Sequence, residues 1–198
     1  MNCKEEIMSF VPAFRLGLWN AWILKLLGIL VVAVTGSLSN KEAMEKFGEN
    51  LTVPHTKIEE MSGRLISLLS LPFILYSFFL PLKLGTRWFY VGLSISFLAL
   101  AIAFSSVISF TTTPLDKLVT KGAYGISRNP ICLAGFLLDF GIGLACTSWI
   151  FLLYAIVDLA LMNTMLKAEE RFLREKYGDA YTEYKNSTPK WIGIRTSR

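Results

Sequence analysis

Hydrophobic residues form long blocks along this chain, and shorter polar segments separate them. Three blocks precede residue 111, over about 11–38, 61–80 and 87–110. An α-helix needs roughly 20 residues to cross the apolar core of a bilayer, and each block is long enough. The pattern therefore predicts three membrane spans within residues 11–110.

The apolar block over 131–166 differs because it is too long for one span and only just long enough for two. Gly143 and residues 146–148 lie where a turn is needed. We therefore predict a helical hairpin of about 130–146 and 148–166, which brings the total to about five transmembrane helices. The 198 residues are expected to form a single all-α integral membrane domain.

The composition agrees with a membrane protein, since 53% of the residues are hydrophobic and only 18% are charged. The three cysteines show no metal-site spacing, and His55 is the only histidine. Both facts argue against a protein-built metal site and a histidine-dependent triad. The basic residues behind the net charge of +5 flank apolar blocks and form no stripe with stacking aromatics. We therefore expect a lipid bilayer as partner, with no metal and no nucleic acid.

Basic residues are spread unevenly over the connections between the predicted spans. Five spans place the 39–60 segment, the 111–130 segment and the C-terminus on one side, which carries most of the lysine and arginine residues. Cytoplasmic connections of membrane proteins are enriched in these residues. We therefore expect the C-terminus, and any site near it, on the cytoplasmic side.

A polar edge precedes the hairpin over residues 121–130. Asn129 is a good N-cap and Pro130 fits the first helical position, so a helix is expected to begin there. Its unpaired N–H groups would direct partial positive charge toward residues 122–128. An anionic group can dock at such a helix start.

A second polar edge follows the hairpin, where two glutamates are adjacent. At helical spacing Glu169 shares a face with apolar residues such as Met165. Glu170 lies on the opposite side with Lys167 and Arg174, placed for ordinary i,i+3 and i,i+4 pairs. A carboxylate on an apolar face is costly unless a partner or ligand compensates it. Glu169 is thus the main functional candidate, and Glu170 is expected to face water.

The order of short motifs in the C-terminal part is the most specific signal. It runs Gly-x-Tyr-x-x-x-Arg-x-Pro, a hydrophobic hairpin, Glu-Glu-x-x-Leu, Tyr-Gly-x-x-Tyr and Pro-x-Trp-Ile. This ordered set resembles the isoprenylcysteine carboxyl methyltransferase family, which is akin to the phospholipid N-methyltransferases. The resemblance implies S-adenosyl-L-methionine as cofactor and a prenylated or other lipophilic methyl acceptor. Residues 111–198 would then form a cofactor-binding loop, the hairpin and C-terminal cytoplasmic helices around a cofactor pocket.

The resemblance also implies roles for individual residues. Glu169 and Arg128 would be the catalytic residues, and Glu169 would accept hydrogen bonds from the ribose or amino group of the cofactor. The other cofactor contacts would be Asp116, Lys117, Leu118, Val119, Tyr124, Asn129, Pro130, Ile131 and Cys132.

The chain departs from the family pattern at two places. The family usually has Arg-His-Pro-x-Tyr where this chain has Arg-Asn-Pro-Ile-Cys over 128–132. Eukaryotic members also carry an arginine one turn before the glutamate that matches Glu169, where it is thought to orient the acceptor carboxylate. This chain has Met165 at that position. The departures bear more on the acceptor than on the cofactor.

Several alternatives stay open from the residues alone. Methylation of a phospholipid amine such as ethanolamine would need a base, because an ammonium is not nucleophilic. A sterol-reductase-like NADPH enzyme shares a similar C-terminal signature, and a non-catalytic lipid-binding protein would bind no nucleotide. Asn129 can be a plain helix cap, Arg128 a charge that sets topology, and Glu169 a structural ion-pair partner. Packing roles are expected for Tyr177, Tyr181 and Trp191.

Overall fold

The computed structural model describes residues 15–37, Glu45 and residues 53–193. Over these residues the chain is helical and forms no β-strand, which confirms the all-α prediction. The sequence also predicts a short helix that Ser39 or Asn40 would cap and that would run through Phe47, and this stretch lies outside the described residues apart from Glu45. The elements are α1 (Trp22–Ser37), α2 (Lys57–Ser77), α3 (Arg87–Thr112), a 3₁₀ helix (Gly122–Gly125), α4 (Pro130–Ala145) and α5 (Trp149–Ser187).

Within the part of the chain that the structure describes, two helices, α3 and α5, are long and apolar enough to cross a membrane. The helices α1 and α4 are also apolar but have only 16 residues each. The apolar part of α5 is residues 149–166, so we treat residues from Lys167 onward as lying outside the span. The count of about five spans stays a prediction.

The first helix begins later than the hydrophobic pattern predicts. Residues 15–21 are not helical, although the predicted span covers them. The Asn20 amide nitrogen donates hydrogen bonds to the Arg15 and Phe78 carbonyls, both at 2.6 Å. The Ala21 N–H donates to the Leu80 carbonyl at 2.9 Å. These bonds attach residues 15–21 to the connection between α2 and α3, so α1 begins only at Trp22.

The hairpin end of the bundle contains the main apolar core. Ile142, Cys146, Phe151 and Tyr154 pack there with residues of α1 and of the α2–α3 connection. Lys25 forms an ion pair with the buried Asp139 of α4. Removing one member of such a pair would strand a buried charge, so the pair couples α1 to α4.

Small residues allow α3 and α4 to approach closely, as the sequence of α3 suggests. A Cβ atom on Gly92 would lie 2.4 Å from the Ala145 nitrogen and from the Gly141 oxygen. A Cβ atom on Gly141 would lie 2.5 Å from the Ser96 hydroxyl oxygen. The backbones are in contact here, which is typical of small residues at membrane helix interfaces.

The helix α5 changes direction at Gly178, where φ is 52° and ψ is −122°. The sequence predicts a helix stop at this glycine, and the dihedral angles agree with that prediction. The Lys185 ammonium lies 2.9 Å from the Glu170 carboxylate. In a straight helix residues 15 positions apart would be about 22 Å apart, so the last turns fold back toward the bundle.

The contact between α3 and α4 predicts different effects for two glycine substitutions on α4. Gly141→Ala should lower the free energy of unfolding by about 1–3 kcal/mol, because the new methyl group overlaps Ser96. Gly135→Ala is the matched control, since its Cβ would meet nothing within 4 Å. It should be neutral or stabilising by up to about 1 kcal/mol. Thermal unfolding in detergent measures both, and equal effects would contradict the close approach.

Candidate functional site

Three segments that are far apart in sequence meet at the end of the bundle opposite the hairpin turn. The Tyr177 hydroxyl donates a hydrogen bond to the Leu115 carbonyl oxygen at 3.3 Å. The Tyr184 hydroxyl donates to the Tyr124 carbonyl at 2.7 Å. The last turns of α5 thus hold the segment that precedes α4.

The turn before α4 is fixed on both sides. Gly122 has a φ of 59°, and a Cβ there would lie 2.3 Å from the Ser109 hydroxyl oxygen, so the turn presses on α3 and requires glycine. The Arg128 N–H donates to the Pro189 carbonyl at 3.0 Å, and the Ser127 hydroxyl donates to the Lys190 carbonyl at 3.1 Å. The closing Pro-Lys-Trp segment therefore lies against this turn.

Asn129 occupies the predicted N-cap position, but its side chain does not cap the helix. Its amide nitrogen donates instead to the Lys190 carbonyl at 3.1 Å. The prediction of the helix start at Pro130 is confirmed, whereas the predicted capping bond is wrong. Among the described residues no side chain caps α4, so its first N–H groups can still bind an anionic group.

A cavity of about 500 Å³ lies at this end of the bundle, and we call it the main cavity. Its volume is within the range of small-molecule sites. Seven of the predicted site residues line it, namely Tyr124, Arg128, Asn129, Pro130, Ile131, Cys132 and Glu169. Its other walls are mostly apolar and come from Val32, Gly36, Val53, His55, Val107, Phe110, Thr111, Met162, Met165 and Leu166.

A smaller cavity of about 40 Å³ adjoins the main cavity. The two share Phe110, Tyr124, Arg128, Asn129 and Glu169 in their walls. Of the predicted loop residues, Leu118 and Val119 line the smaller cavity. Asp116 and Lys117 line neither cavity and are exposed. The remaining lining residues are Glu170, Phe172, Leu173, Lys176, Tyr177, Tyr181 and Tyr184.

Glu169 lies in the wall of both cavities, so the structure places it on the predicted face. Burial raises the pKa of Glu169 above its ordinary value, and the negative charge of Glu170 raises it further. Burial likewise raises the pKa of the Tyr124 hydroxyl, and Glu169 adds to the effect. Raised pKa values in a cleft are typical of binding and catalytic sites.

Glu170 does not face water, which corrects the expectation from helical spacing. Its carboxylate lies 2.9 Å from the Lys185 ammonium, 3.4 Å from the Arg128 guanidinium and 3.6 Å from the Lys190 ammonium. Burial raises the pKa of Glu170, but the hydrogen bond from Lys185 and the nearby positive charges outweigh it, so the pKa is lowered. The fold brings three other cations to the Glu170 carboxylate. These cations, and not the expected Lys167 and Arg174, are its ion-pair partners.

Arg128 is brought to the site together with Glu169. Its side chain is only 10% exposed, and its guanidinium contacts the Glu170 carboxylate and, at 3.5 Å, the Tyr181 hydroxyl. Its Nε atom is buried without a hydrogen-bond partner among the described residues. A ligand acceptor could satisfy that donor.

The sequence reasoning missed several residues of the site. His55 lines the main cavity, although the sequence suggests only a loop residue. Tyr177, Tyr181 and Tyr184 line the smaller cavity, although packing roles are expected for the first two. The spacing of four and three residues among the tyrosines, across the helix stop at Gly178, is the signal that could have found them.

A second ion pair holds the segment that carries His55. Arg171 donates to both carboxylate oxygens of Glu59, at 2.6 and 2.8 Å, and to the Pro54 carbonyl at 3.4 Å. Glu59 also accepts from the Thr56 N–H at 2.8 Å in a capping box. The hydrogen bonds from Arg171, against the opposing effect of burial, lower the pKa of Glu59 to about 2.

Comparison with known proteins supports the resemblance. The model of the phospholipid methyltransferase family matches residues 109–180, which is somewhat more than a third of the chain. This is the family of the isoprenylcysteine and phospholipid methyltransferase group, so the recognition from sequence motifs is confirmed. No curated protein matches the chain. Within the described residues no group of side chains could hold a metal ion.

The ion pair between Glu59 and Arg171 predicts an acid-sensitive attachment of residues 53–58. The folded pKa of Glu59 lies below its ordinary value of 4.5, so the stabilisation is present above that value and is lost as pH falls toward 2. Glu59→Gln should reproduce the effect at neutral pH. Hydrogen exchange of the backbone amides of residues 53 and 55–58 should become about tenfold faster.

Glu60→Gln is the matched control for that substitution. Glu60 pairs with Arg64 at 2.5 Å, but both side chains are exposed and such pairs contribute little. Exchange at residues 53–58 should be nearly unchanged. Equal acceleration in the two variants would show that the bond to Arg171 does not hold this segment.

Proposed function

We propose that this chain, which matches the phospholipid methyltransferase family over residues 109–180, is an integral membrane methyltransferase that uses S-adenosyl-L-methionine. Its acceptor is the carboxylate of an isoprenylcysteine-like lipophilic molecule. One observation carries the proposal: the main cavity joins a polar edge with Glu169 and Arg128 to an apolar wall with Met162 and Leu166. A charged cofactor and an oily acceptor need such walls beside each other.

The residues present fit the proposed cofactor. S-Adenosylmethionine carries a carboxylate, an ammonium, a sulfonium and a ribose diol. Arg128, with its unpartnered buried Nε, suits the carboxylate, and the uncapped start of α4 favours negative charge as well. Glu169 suits the ammonium or the ribose hydroxyls. The aromatic ring of Tyr124 supplies flat apolar surface in the same wall.

The proposed reaction requires the protein to orient the two reactants and to exclude water. When bound, the cofactor supplies an electrophilic methyl group on its sulfonium. A carboxylate acceptor is ionised at neutral pH and needs no general base. Opposite charges cancel as it attacks, so a site of low dielectric constant favours the reaction. The apolar wall would exclude water while Glu169 and Arg128 orient the reactants.

Membrane orientation belongs to the same proposal. The described parts of the 39–60 segment, the 111–130 segment and the C-terminal segment meet at one end of the bundle. Charge bias supports the cytoplasmic side for that end. The catalytic site would therefore open to cytoplasmic S-adenosylmethionine.

A phospholipid amine is the second candidate acceptor. The name of the matching family favours it, and His55 in the main cavity offers the base that amine methylation needs. A sterol-reductase-like NADPH enzyme is the third candidate. Binding of NADPH with no binding of adenosylhomocysteine would support that candidate and reject the methyltransferase.

Glu169 should be required for cofactor binding. Calorimetry of the detergent-purified protein should give micromolar affinity for adenosylhomocysteine, and Glu169→Gln should weaken it about 10- to 100-fold through lost charge-assisted hydrogen bonds. Because the pKa of Glu169 is raised, affinity should fall on acidification at a pH above that of an ordinary glutamate. The variant should lack this pH dependence.

Two neighbouring substitutions sharpen that experiment. Glu175→Gln changes an exposed residue of α5 that lines neither cavity, so affinity should be unchanged. Glu170→Gln should cause a smaller loss than Glu169→Gln, because it acts by releasing Arg128. If Glu175→Gln weakens binding as much as Glu169→Gln, the role given to Glu169 is wrong.

Transfer of a labelled methyl group should distinguish the acceptors. Purified protein in lipid vesicles, supplied with labelled S-adenosylmethionine, should methylate N-acetyl-S-farnesylcysteine and give a base-labile ester. Phosphatidylethanolamine in the same vesicles should stay unlabelled. The reverse result would assign the chain to amine methylation, and Glu169→Gln should abolish whichever transfer occurs.

A further inference from the structure

His55 is the second basic residue of the main cavity, and its position suggests a specific task. Among the described residues that line this cavity, the basic side chains are Arg128 and His55. The Arg128 guanidinium already contacts the Glu170 carboxylate and the Tyr181 hydroxyl. His55 is exposed and lies in the same cavity as the apolar Met165. It can therefore meet the polar head of a molecule whose tail lies against that wall.

The segment around His55 is held firmly enough to position it. On one side Val53 is buried, and on the other Thr56 and Glu59 form the capping box that begins α2. Between them the Pro54 carbonyl accepts a hydrogen bond from Arg171, at 3.4 Å. Arg171 lies only two residues after Glu169 on α5, so one helix turn anchors both Glu169 and the His55 segment.

An acceptor carboxylate needs a cation in this cavity. The Glu169 carboxylate lines the same cavity and would repel it, and Met165 offers apolar surface only. We propose that His55, in its imidazolium form, binds the carboxylate of the lipophilic acceptor through a charge-assisted hydrogen bond. This inference rests on the proposed function and names the residue that selects a carboxylate head.

The proposal predicts a preference for one charge state of the acceptor head. A charge-assisted hydrogen bond can form with a carboxylate and is lost with an uncharged ester of the same shape. The free carboxylate should therefore bind more tightly than its methyl ester. The titratable and charged groups that line the same cavity or flank the segment on α2 and α5 are Tyr124, Arg128, Cys132, Glu169, Lys57, Glu59, Glu60 and Arg171.

Direct binding tests the proposal without requiring turnover. The probes are N-acetyl-S-farnesylcysteine and its methyl ester, which has the same tail but no charge, with the full-length protein in detergent. At pH 6 the free carboxylate should bind about tenfold more tightly than the ester.

Variants assign the preference to His55. His55→Gln should remove the preference at pH 6 and leave affinity for the ester and for adenosylhomocysteine unchanged. His55→Lys should restore the preference, because lysine also places a cation at this position. Lys57→Gln removes a nearby exposed positive charge that does not line the cavity, and the preference should survive it.

Three results would overturn the inference. The first is equal binding of acid and ester by the unchanged protein at pH 6, and the second is a preference that survives His55→Gln. The third is methylation of phosphatidylethanolamine that rises with pH and falls in His55→Gln, which would make His55 a base. Failure of the methyltransferase proposal is distinct, because it would appear as absent adenosylhomocysteine binding with the acid preference intact.

Discussion

The carboxylate of Glu170 lies among Arg128, Lys185 and Lys190, which come from the turn before α4, the last turns of α5 and the closing segment. A partly buried carboxylate is costly unless cations and hydrogen bonds compensate it, and here three cations do so. Because each cation belongs to a different segment, the cluster closes the polar end of the bundle. The shapes of both cavities depend on it, since Arg128 lines each of them.

One turn of α5 serves three separate purposes beside this cluster. Successive residues of an α-helix point about 100° apart, so Glu169, Glu170 and Arg171 are directed to different neighbours. Glu169 lines the cavities, Glu170 binds the three cations, and Arg171 binds Glu59 at the start of α2. The charge pairs on either side of Glu169 hold the walls, so Glu169 itself can remain available to a ligand. A shift of this turn by one residue would direct each of the three side chains to a different neighbour, so the site would no longer form.

The two ends of the bundle are held together by different kinds of contact. At the hairpin end, aromatic packing, the ion pair of Lys25 with Asp139 and the close approach at Gly92 join the helices. At the opposite end, tyrosine hydroxyls of α5 bond backbone carbonyls of the segment before α4. The site therefore consists of connecting segments attached to helices that are fixed elsewhere, an arrangement common to binding sites on rigid scaffolds.

Local chemistry in the sequence was sufficient for the helix start at Pro130, the hairpin turn at residues 146–148, the break at Gly178 and the inward face of Glu169. Each of these depends on backbone preferences or helical periodicity within a few residues. The late start of α1, the loss of the Asn129 cap and the partners of Glu170 were decided by tertiary structure. The same holds for His55 and for the bond of Arg171 to Glu59, whose partners are 112 residues apart. Exposed ion pairs between helical neighbours contribute only about 0.3–0.5 kcal/mol. Glu170 and Asn129 therefore bind groups that the tertiary structure brings close, and do not form the local contacts expected from helical spacing.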